Sequence, residues 1–263
     1  MNNWDPVAYS RFDTDRNRPS VDLLSRVPLR KCSRIVDLGC GAGLSTQSLA
    51  ERYPDCDLVG VDRSEEMLAA ARARLPGVRF LQGDAAHWRG RADLVFANAL
   101  FHWVPDHIAV MTRLVGDLEP GGCLAAQMPD NEAEPTHVLM REIAAAPPFR
   151  GKIEAAAAAR ETIGAMADYD AALSPFCEHV DIWRTVYLHR LESPQSIVDW
   201  VEGAGLRPYL APLSPDEREQ YLARYLEAIT AAYPRRAWGG VLLPFPRLFV
   251  VVVRRASSDD PSG

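Results

Sequence analysis

The segment Ile35-Val36-Asp37-Leu38-Gly39-Cys40-Gly41-Ala42-Gly43 constrains this chain more than any other. Ile35, Val36 and Leu38 around an aspartate read as a buried strand, and the glycines read as a turn into the helical pattern at 44–52. Glycine lets the backbone turn tightly and lets a ligand approach it closely. The spacing here is Gly-x-Gly-x-Gly. A dinucleotide fingerprint is Gly-x-Gly-x-x-Gly, which needs its third glycine at 44, where this chain has Leu44. That difference points away from a nicotinamide or flavin pyrophosphate and toward a smaller adenosyl ligand.

The same segment opens an alternation of short apolar runs and helical patterns across residues 34–128. It predicts strands at 34–37, 58–62, 78–82, 92–97 and 122–128, with helices at 44–52, 65–75 and 106–118. Ser64 before Glu65-Glu66 is an N-cap followed by an acidic first turn. Such alternation builds a parallel sheet with helices on both faces, an α/β fold of the Rossmann-like kind. Beyond Pro129 the pattern changes. Residues 132–175, including 154–160, are alanine-rich and helical in propensity. Strand-like residues return at 180–189 and 247–253, and helices are expected at 194–203 and 214–233, where Ser214-Pro215-Asp216-Glu217 is a strong start.

Composition narrows the partners. Of 263 residues 48% are hydrophobic, enough for a full core. A net charge of -6 gives no general attraction for phosphate backbones, so nucleic acid is not an expected partner. Positive charge is almost all arginine, Lys31 and Lys152 being the only lysines. The five cysteines (Cys32, Cys40, Cys56, Cys123, Cys177) show no Cys-x-x-Cys pair, which argues against zinc and against a disulfide framework. Cys40 and Cys123 read as small core residues. The N-terminus has no basic-then-apolar leader and no apolar run is long enough to span a membrane, so the expectation is a cytoplasmic monomer.

Four strand ends carry the polar residues. Asp37 with Gly39, Cys40, Gly41 and Gly43 ends the first, and Asp62, followed by Arg63, ends the second. Gly83-Asp84-Ala85 follows the third, and Asn98 follows the fourth, next to Ala99-Leu100-Phe101-His102-Trp103. One acid at a strand end is ordinarily a cap or a solvated turn, but in open parallel sheets ligands sit beyond these ends. Asp62 can accept both ribose hydroxyls, and Asp84 the adenine amino group. A methionine moiety with an ammionium and a carboxylate wants carbonyls and carboxylates besides amides, so the set points to S-adenosylmethionine. Met67 and Trp88 are placed near the adenine, though both equally fit the core. His107, His137, His179 and His189 show no metal-like spacing, and no metal is expected.

These residues resemble the class I S-adenosylmethionine-dependent methyltransferases. The resemblance implies a seven-stranded sheet whose last strand, at 247–254, runs antiparallel to the others. It also implies one domain over 1–256: an N-terminal lid and helices at 1–33, a cofactor-binding core at 34–130, a helical cap at 131–178 and 193–240, and late strands at 179–191 and 247–254. Residues 257–263 are expected to be a disordered tail. The Asn-Pro-Pro-Tyr motif of nucleobase and glutamine N-methylation is missing, since the chain reads Asn98-Ala99-Leu100-Phe101. Segments outside the shared motifs are similar to those of the trans-aconitate methyltransferase family: Trp4-Asp5-Pro6 with Tyr9, Arg18-Pro19, Gln127-Met128-Pro129-Asp130-Asn131, 134–142, Asp181-Ile182-Trp183-Arg184-Thr185, Gly205-Leu206-Arg207-Pro208 and Phe245-Pro246-Arg247-Leu248-Phe249. Ala42 stands where that family usually has proline. The resemblance implies methyl transfer to a carboxylate of trans-aconitate. It implies cofactor contacts from Trp4, Asp37, Gly39, Cys40, Gly41, Asp62, Arg63, Met67, Asp84, Ala85 and Asn98. Substrate contacts are implied for Tyr9, Arg18, His102, Trp103, Arg184, Arg207 and Arg247.

The chemistry agrees with this assignment. A tricarboxylate needs local positive charge on an acidic protein. Arg184, Arg207 and Arg247, with Arg11 and Arg18, can supply it, although a lone arginine is ordinarily a surface ion-pair member. Arg207 and Arg247 stand in apolar contexts bounded by proline. The attacking carboxylate is already ionised, so no general base is required, and His102 is assigned an orienting role. Trp4 and Tyr9 are either a hydrophobic staple or a lid. Three alternatives remain open: a nicotinamide-dependent oxidoreductase, a silent S-adenosylmethionine-binding regulator, and a methyltransferase of another small di- or tricarboxylic acid.

Overall fold

The computed structural model describes residues 13–153, 162–203 and 205–256. Trp4, Tyr9, Arg11, the helix expected at 154–160 and the tail at 257–263 lie outside the described residues.

In chain order the main elements are α1 (Asp13–Ser25), β1 (Arg34–Leu38), α2 (Leu44–Arg52), β2 (Asp57–Asp62), α3 (Glu65–Arg74), β3 (Arg79–Gln82) and β4 (Leu94–Asn98). Then follow α4 (His107–Asp117), β5 (Cys123–Pro129), α5 (Pro135–Ala144), α6 (Met166–Leu173), β6 (Cys177–Leu191), α7 (Pro194–Glu202), α8 (Arg207–Leu210), α9 (Pro215–Ala232) and β7 (Val241–Arg254). The seven strands form one sheet in the order β3-β2-β1-β4-β5-β7-β6. β1 pairs in parallel with β2 and with β4, and β2–β3 and β4–β5 are also parallel. β7 runs the other way: Asp130 N–H donates to Pro246 O, and Arg254 N–H to Gly122 O, so rising numbers on one side meet falling numbers on the other.

The chain divides into two compact units. The sheet unit comprises the described residues 16–129, 162–185 and 248–256. Its core joins Val36 and Leu38 of β1, Val59 and Val61 of β2, Val95 and Ala97 of β4, Leu124 and Ala126 of β5, and Val250 and Val252 of β7. α4 adds Met111, Leu114 and Val115 from one face. Cys40 and Cys123 are buried as small core residues, as their surroundings implied. Ser64 caps α3, its hydroxyl accepting from Met67 N–H, with Glu65 and Glu66 in the first turn.

The helical unit comprises the described residues 13–15, 130–153, 186–203 and 205–247. α9 turns Tyr221, Tyr225 and Ile229, spaced four apart, to the interior. The buried phenols are satisfied by α5: Tyr221 Oη donates to Met140 O at 2.8 Å and Tyr225 Oη to Thr136 O at 3.0 Å, while Tyr233 Oη accepts from Thr136 N–H at 3.3 Å.

Two boundaries differ most from expectation. The helical stretch at 132–175 is interrupted, because Pro147 and Pro148 lie just beyond α5 and cannot continue it. β7 begins at Val241 rather than 247. Pro244 and Pro246 read as strand breakers, yet Pro246 still supplies its carbonyl to Asp130 and lacks only the N–H.

Ser214 and Glu217 form a reciprocal capping box on α9, with Glu217 N–H to Ser214 Oγ at 3.4 Å and Ser214 N–H to Glu217 Oε2 at 3.1 Å. Ser214→Ala is expected to cost about 1 kcal/mol of stability, read as a lower urea midpoint at unchanged slope.

Candidate active site

Asp37 sits near the end of β1, between β2 and β4, and is fully buried. One carboxylate oxygen, Oδ2, accepts from Ser45 Oγ at 2.7 Å and Thr46 Oγ1 at 2.6 Å, both on the first turn of α2. The other, Oδ1, is buried with no hydrogen-bond partner among the described residues. Burial raises this carboxyl to about 6; the two hydroxyls pull it down, and nearby Asp62 pushes it up.

The glycine loop turns around this carboxylate. Gly39 takes φ +70, and a Cβ there would stand 2.8 Å from Leu100 Cδ1. Gly41 takes φ +53 with nothing within 4 Å of where its Cβ would be, which leaves an open backbone face. Gly39 and Cys40 N–H both donate to Val61 O on β2, at 2.8 and 3.1 Å. Asp62 Oδ2 accepts from Gly41 N–H at 2.9 Å and Oδ1 from Ser64 N–H at 2.9 Å. Gly83 N–H donates to Asp62 O at 3.0 Å. Thus the ends of β1, β2 and β3, with Leu100 beyond β4, meet at one place.

After β3 the chain makes a tight turn: Asp84 is exposed, its Oδ1 accepts from Ala86 N–H at 2.8 Å, and Ala85 is buried. After β4, Asn98 Oδ1 accepts from Gln127 Nε2, and Ala99 N–H donates to Gln127 O at 2.8 Å. Ala99 is held at φ +55, a conformation alanine rarely adopts, at the point where the chain leaves the sheet. His102 is buried, its ring 4.8 Å from that of Trp103. Met67 is half-buried on α3 and Arg63 is exposed.

The arginines fall into different settings. Arg18 lies on the exposed side of α1, 3.8 Å from Asp22. Arg184 on β6 and Arg207 at the start of α8 are exposed. Arg247 is buried in β7, its guanidinium over the Phe245 ring at 4.8 Å from the centroid. Sequence context groups Arg207 with Arg247; the structure separates them, because Leu206 is buried and Arg207 exposed while Arg247 is buried.

Sequence reasoning missed Ser45, Thr46 and Gln127. Each left a trace: two hydroxyl residues directly after the glycine loop, and one amide inside the otherwise apolar β5.

The residues fit S-adenosylmethionine. Asp37 Oδ1 is a buried acceptor awaiting a donor, Gly41 offers open backbone, and each Asp62 oxygen keeps a lone pair beyond the N–H it already holds. Fold and site together define a class I S-adenosylmethionine-dependent methyltransferase. A family model described as a methyltransferase domain matches residues 35–122. A trans-aconitate 2-methyltransferase of Methylobacterium nodulans is 51% identical, covering 97% of this chain and 99% of its own length. Those of Rhodopseudomonas palustris BisB18 and Paracidovorax citrulli are each 49% identical, covering 97% of this chain and 100% of their own. The chain belongs to the trans-aconitate 2-methyltransferase family. Among solved structures, the YcgJ protein of Bacillus subtilis shares the fold at 16% identity and TM-score 0.59, covering 91% of this chain and 100% of that one. Phosphoethanolamine N-methyltransferase 2 of Haemonchus contortus, solved with S-adenosylhomocysteine, shares it at 16% and 0.53, covering 90% and 52%. No described helix is long and apolar enough to cross a membrane.

The Asp37 carboxyl gives a pH signature. It is raised from 3.8 to about 6 in the fold, so between these values the unfolded chain loses a proton that the folded one keeps. Its contribution is therefore fully present below about pH 4 and is lost as pH rises through about 6, amounting to about 3 kcal/mol at most. Urea unfolding of the ligand-free protein and of Asp37→Asn across this range should differ by that declining step, which the variant lacks.

Proposed function

We propose that this protein transfers the methyl group of S-adenosylmethionine to a carboxylate of trans-aconitate, giving the monomethyl ester and S-adenosylhomocysteine. The observation that carries the reading is near-half identity to trans-aconitate 2-methyltransferases over almost the whole of both chains. Bound S-adenosylmethionine supplies a methyl carbon made electrophilic by its sulfonium. In this reading Asp37 Oδ1 receives the cofactor's ammonium, directly or through a water. Gly39, Cys40 and Gly41 lie along its methionine part, and Asp62 takes the ribose hydroxyls. Asp84 and Ala85 hold the adenine, with Met67 and Arg63 as further cofactor contacts, and Trp4 is assigned to the cofactor as well. Asn98, fixed by Gln127, orients the chain that leads to His102 and Trp103.

No residue has to remove a proton, because the carboxylate nucleophile is ionised at neutral pH. Catalysis is then alignment of oxygen, carbon and sulfur, with spectator carboxylates held in place. His102 and Trp103 orient the substrate. Arg247 is the strongest carboxylate holder: a buried guanidinium has a fixed direction, and its planar fork suits a bidentate carboxylate. Exposed Arg184, Arg207 and Arg18 are weaker ones, along with Tyr9. The free cysteines fit a reducing cytoplasm, and the working unit is read as a monomer with small-molecule partners.

Radiolabelled S-adenosylmethionine should label trans-aconitate, with kcat/KM at least about tenfold above cis-aconitate, isocitrate and itaconate; equal labelling of another acid would reassign the substrate. Arg247→Gln should raise KM for trans-aconitate by about tenfold or more while KM for S-adenosylmethionine stays within about twofold. An equal rise in both would remove Arg247 from the substrate site.

A further inference from the structure

We propose that Arg113 is a positioning residue that shapes the adenine-recognising turn, an inference that rests on the assignment of Asp84 to the adenine. Arg113 lies on α4, which follows the β4 end of the site, and its half-buried guanidinium reaches back to the turn after β3. Nη1 donates to Trp88 O at 2.8 Å, and Nη2 to Ala86 O at 3.0 Å and Ala85 O at 3.5 Å. Asp117, one turn along α4, holds the same guanidinium through Oδ2 at 3.3 Å from Nη1.

The turn needs this clamp for a specific reason. Two of its N–H groups are used within it: Ala86 N–H goes to Asp84 Oδ1 at 2.8 Å, and His87 N–H to Asp84 O at 3.0 Å. The carbonyls of Ala85, Ala86 and Trp88 accept from the guanidinium of Arg113. One planar fork collects all three, which a single ammonium could not do with the same geometry. Trp88 O is shared with Arg89 Nη1 at 3.1 Å, and Trp88 itself packs against the core of the sheet unit. Arg113 therefore fixes the backbone from which Asp84 projects, and it does so from the helix that follows Asn98, His102 and Trp103 in the chain.

A clamp of this kind acts on recognition of the base rather than on methyl transfer. The test is calorimetric binding of S-adenosylhomocysteine and of its inosine analogue, in which the 6-amino donor is replaced by a carbonyl oxygen. The wild-type protein should prefer the adenine form by about tenfold or more, as sites built around a hydrogen bond do. Arg113→Met should bring that ratio to within about twofold of unity and weaken S-adenosylhomocysteine about tenfold, while kcat at saturating cofactor and KM for trans-aconitate hold. A merely stabilising role would lower the melting temperature and leave the ratio alone, and that result overturns the proposal. Should Arg113→Met not fold, Arg113→Lys, which keeps charge but not the fork, should still lose about fivefold in the ratio; an unchanged ratio there also overturns it. Asp84→Ala, measured alongside, separates the two assignments. If it loses the preference while Arg113→Met keeps it, the clamp alone is wrong. If it keeps the preference, the adenine assignment of Asp84 fails and the clamp fails with it.

Discussion

A fully buried carboxylate near the end of the central strand organises this protein. Asp37 is costly to ionise where it stands, and two hydroxyls from the helix that follows offset only part of that cost. Those hydroxyls tie the first turn of α2 back to β1, so the glycine loop between them has little choice of path. The remaining oxygen is left for a donor from outside the described residues. A fold that wanted only stability would place an apolar residue there. Retention of a half-satisfied carboxylate makes sense when a cationic ligand completes it.

The neighbouring strand ends extend that logic. Asp62 holds the glycine loop by Gly41 N–H and the next helix by Ser64 N–H, so the acid assigned to the ribose is also a brace. Gln127 plays the same part for Asn98 and Ala99. Residues proposed to meet the ligand and residues that hold the loops are thus the same, or immediate neighbours. Rigid positioning suits a reaction whose barrier is lowered by alignment rather than by proton transfer.

Much of this was legible in the sequence because it is written in local patterns. The strands around Asp37 and Asp62, the cap at Ser64 and the start of α9 at Ser214 each depend on residues a few positions apart. β7 begins six residues before the apolar run at 247–253, because Pro244 and Pro246 fit within the strand. Arg207 and Arg247 looked alike in sequence, both flanked by proline and leucine, and only the packing of Leu206 and Phe245 distinguishes an outward from a buried guanidinium. The long-range hydrogen bonds of Gln127 and Arg113 could not be read at all, because their partners lie more than twenty residues away. What the sequence carries well is the cofactor; what it carries poorly is which charged groups hold the substrate.

The free oxygen of Asp37 is proposed to receive the ammonium of the cofactor. Calorimetric binding of S-adenosylhomocysteine between about pH 5 and 8, to the wild-type protein and to Asp37→Asn, tests it most directly. The complex prefers the ionised carboxylate, so wild-type affinity should be level above about pH 7 and fall by up to tenfold per pH unit below about 6, with Asp37→Asn weak and level throughout. An asparagine variant that binds as tightly as wild type, with the same pH profile, would remove Asp37 from the ammonium.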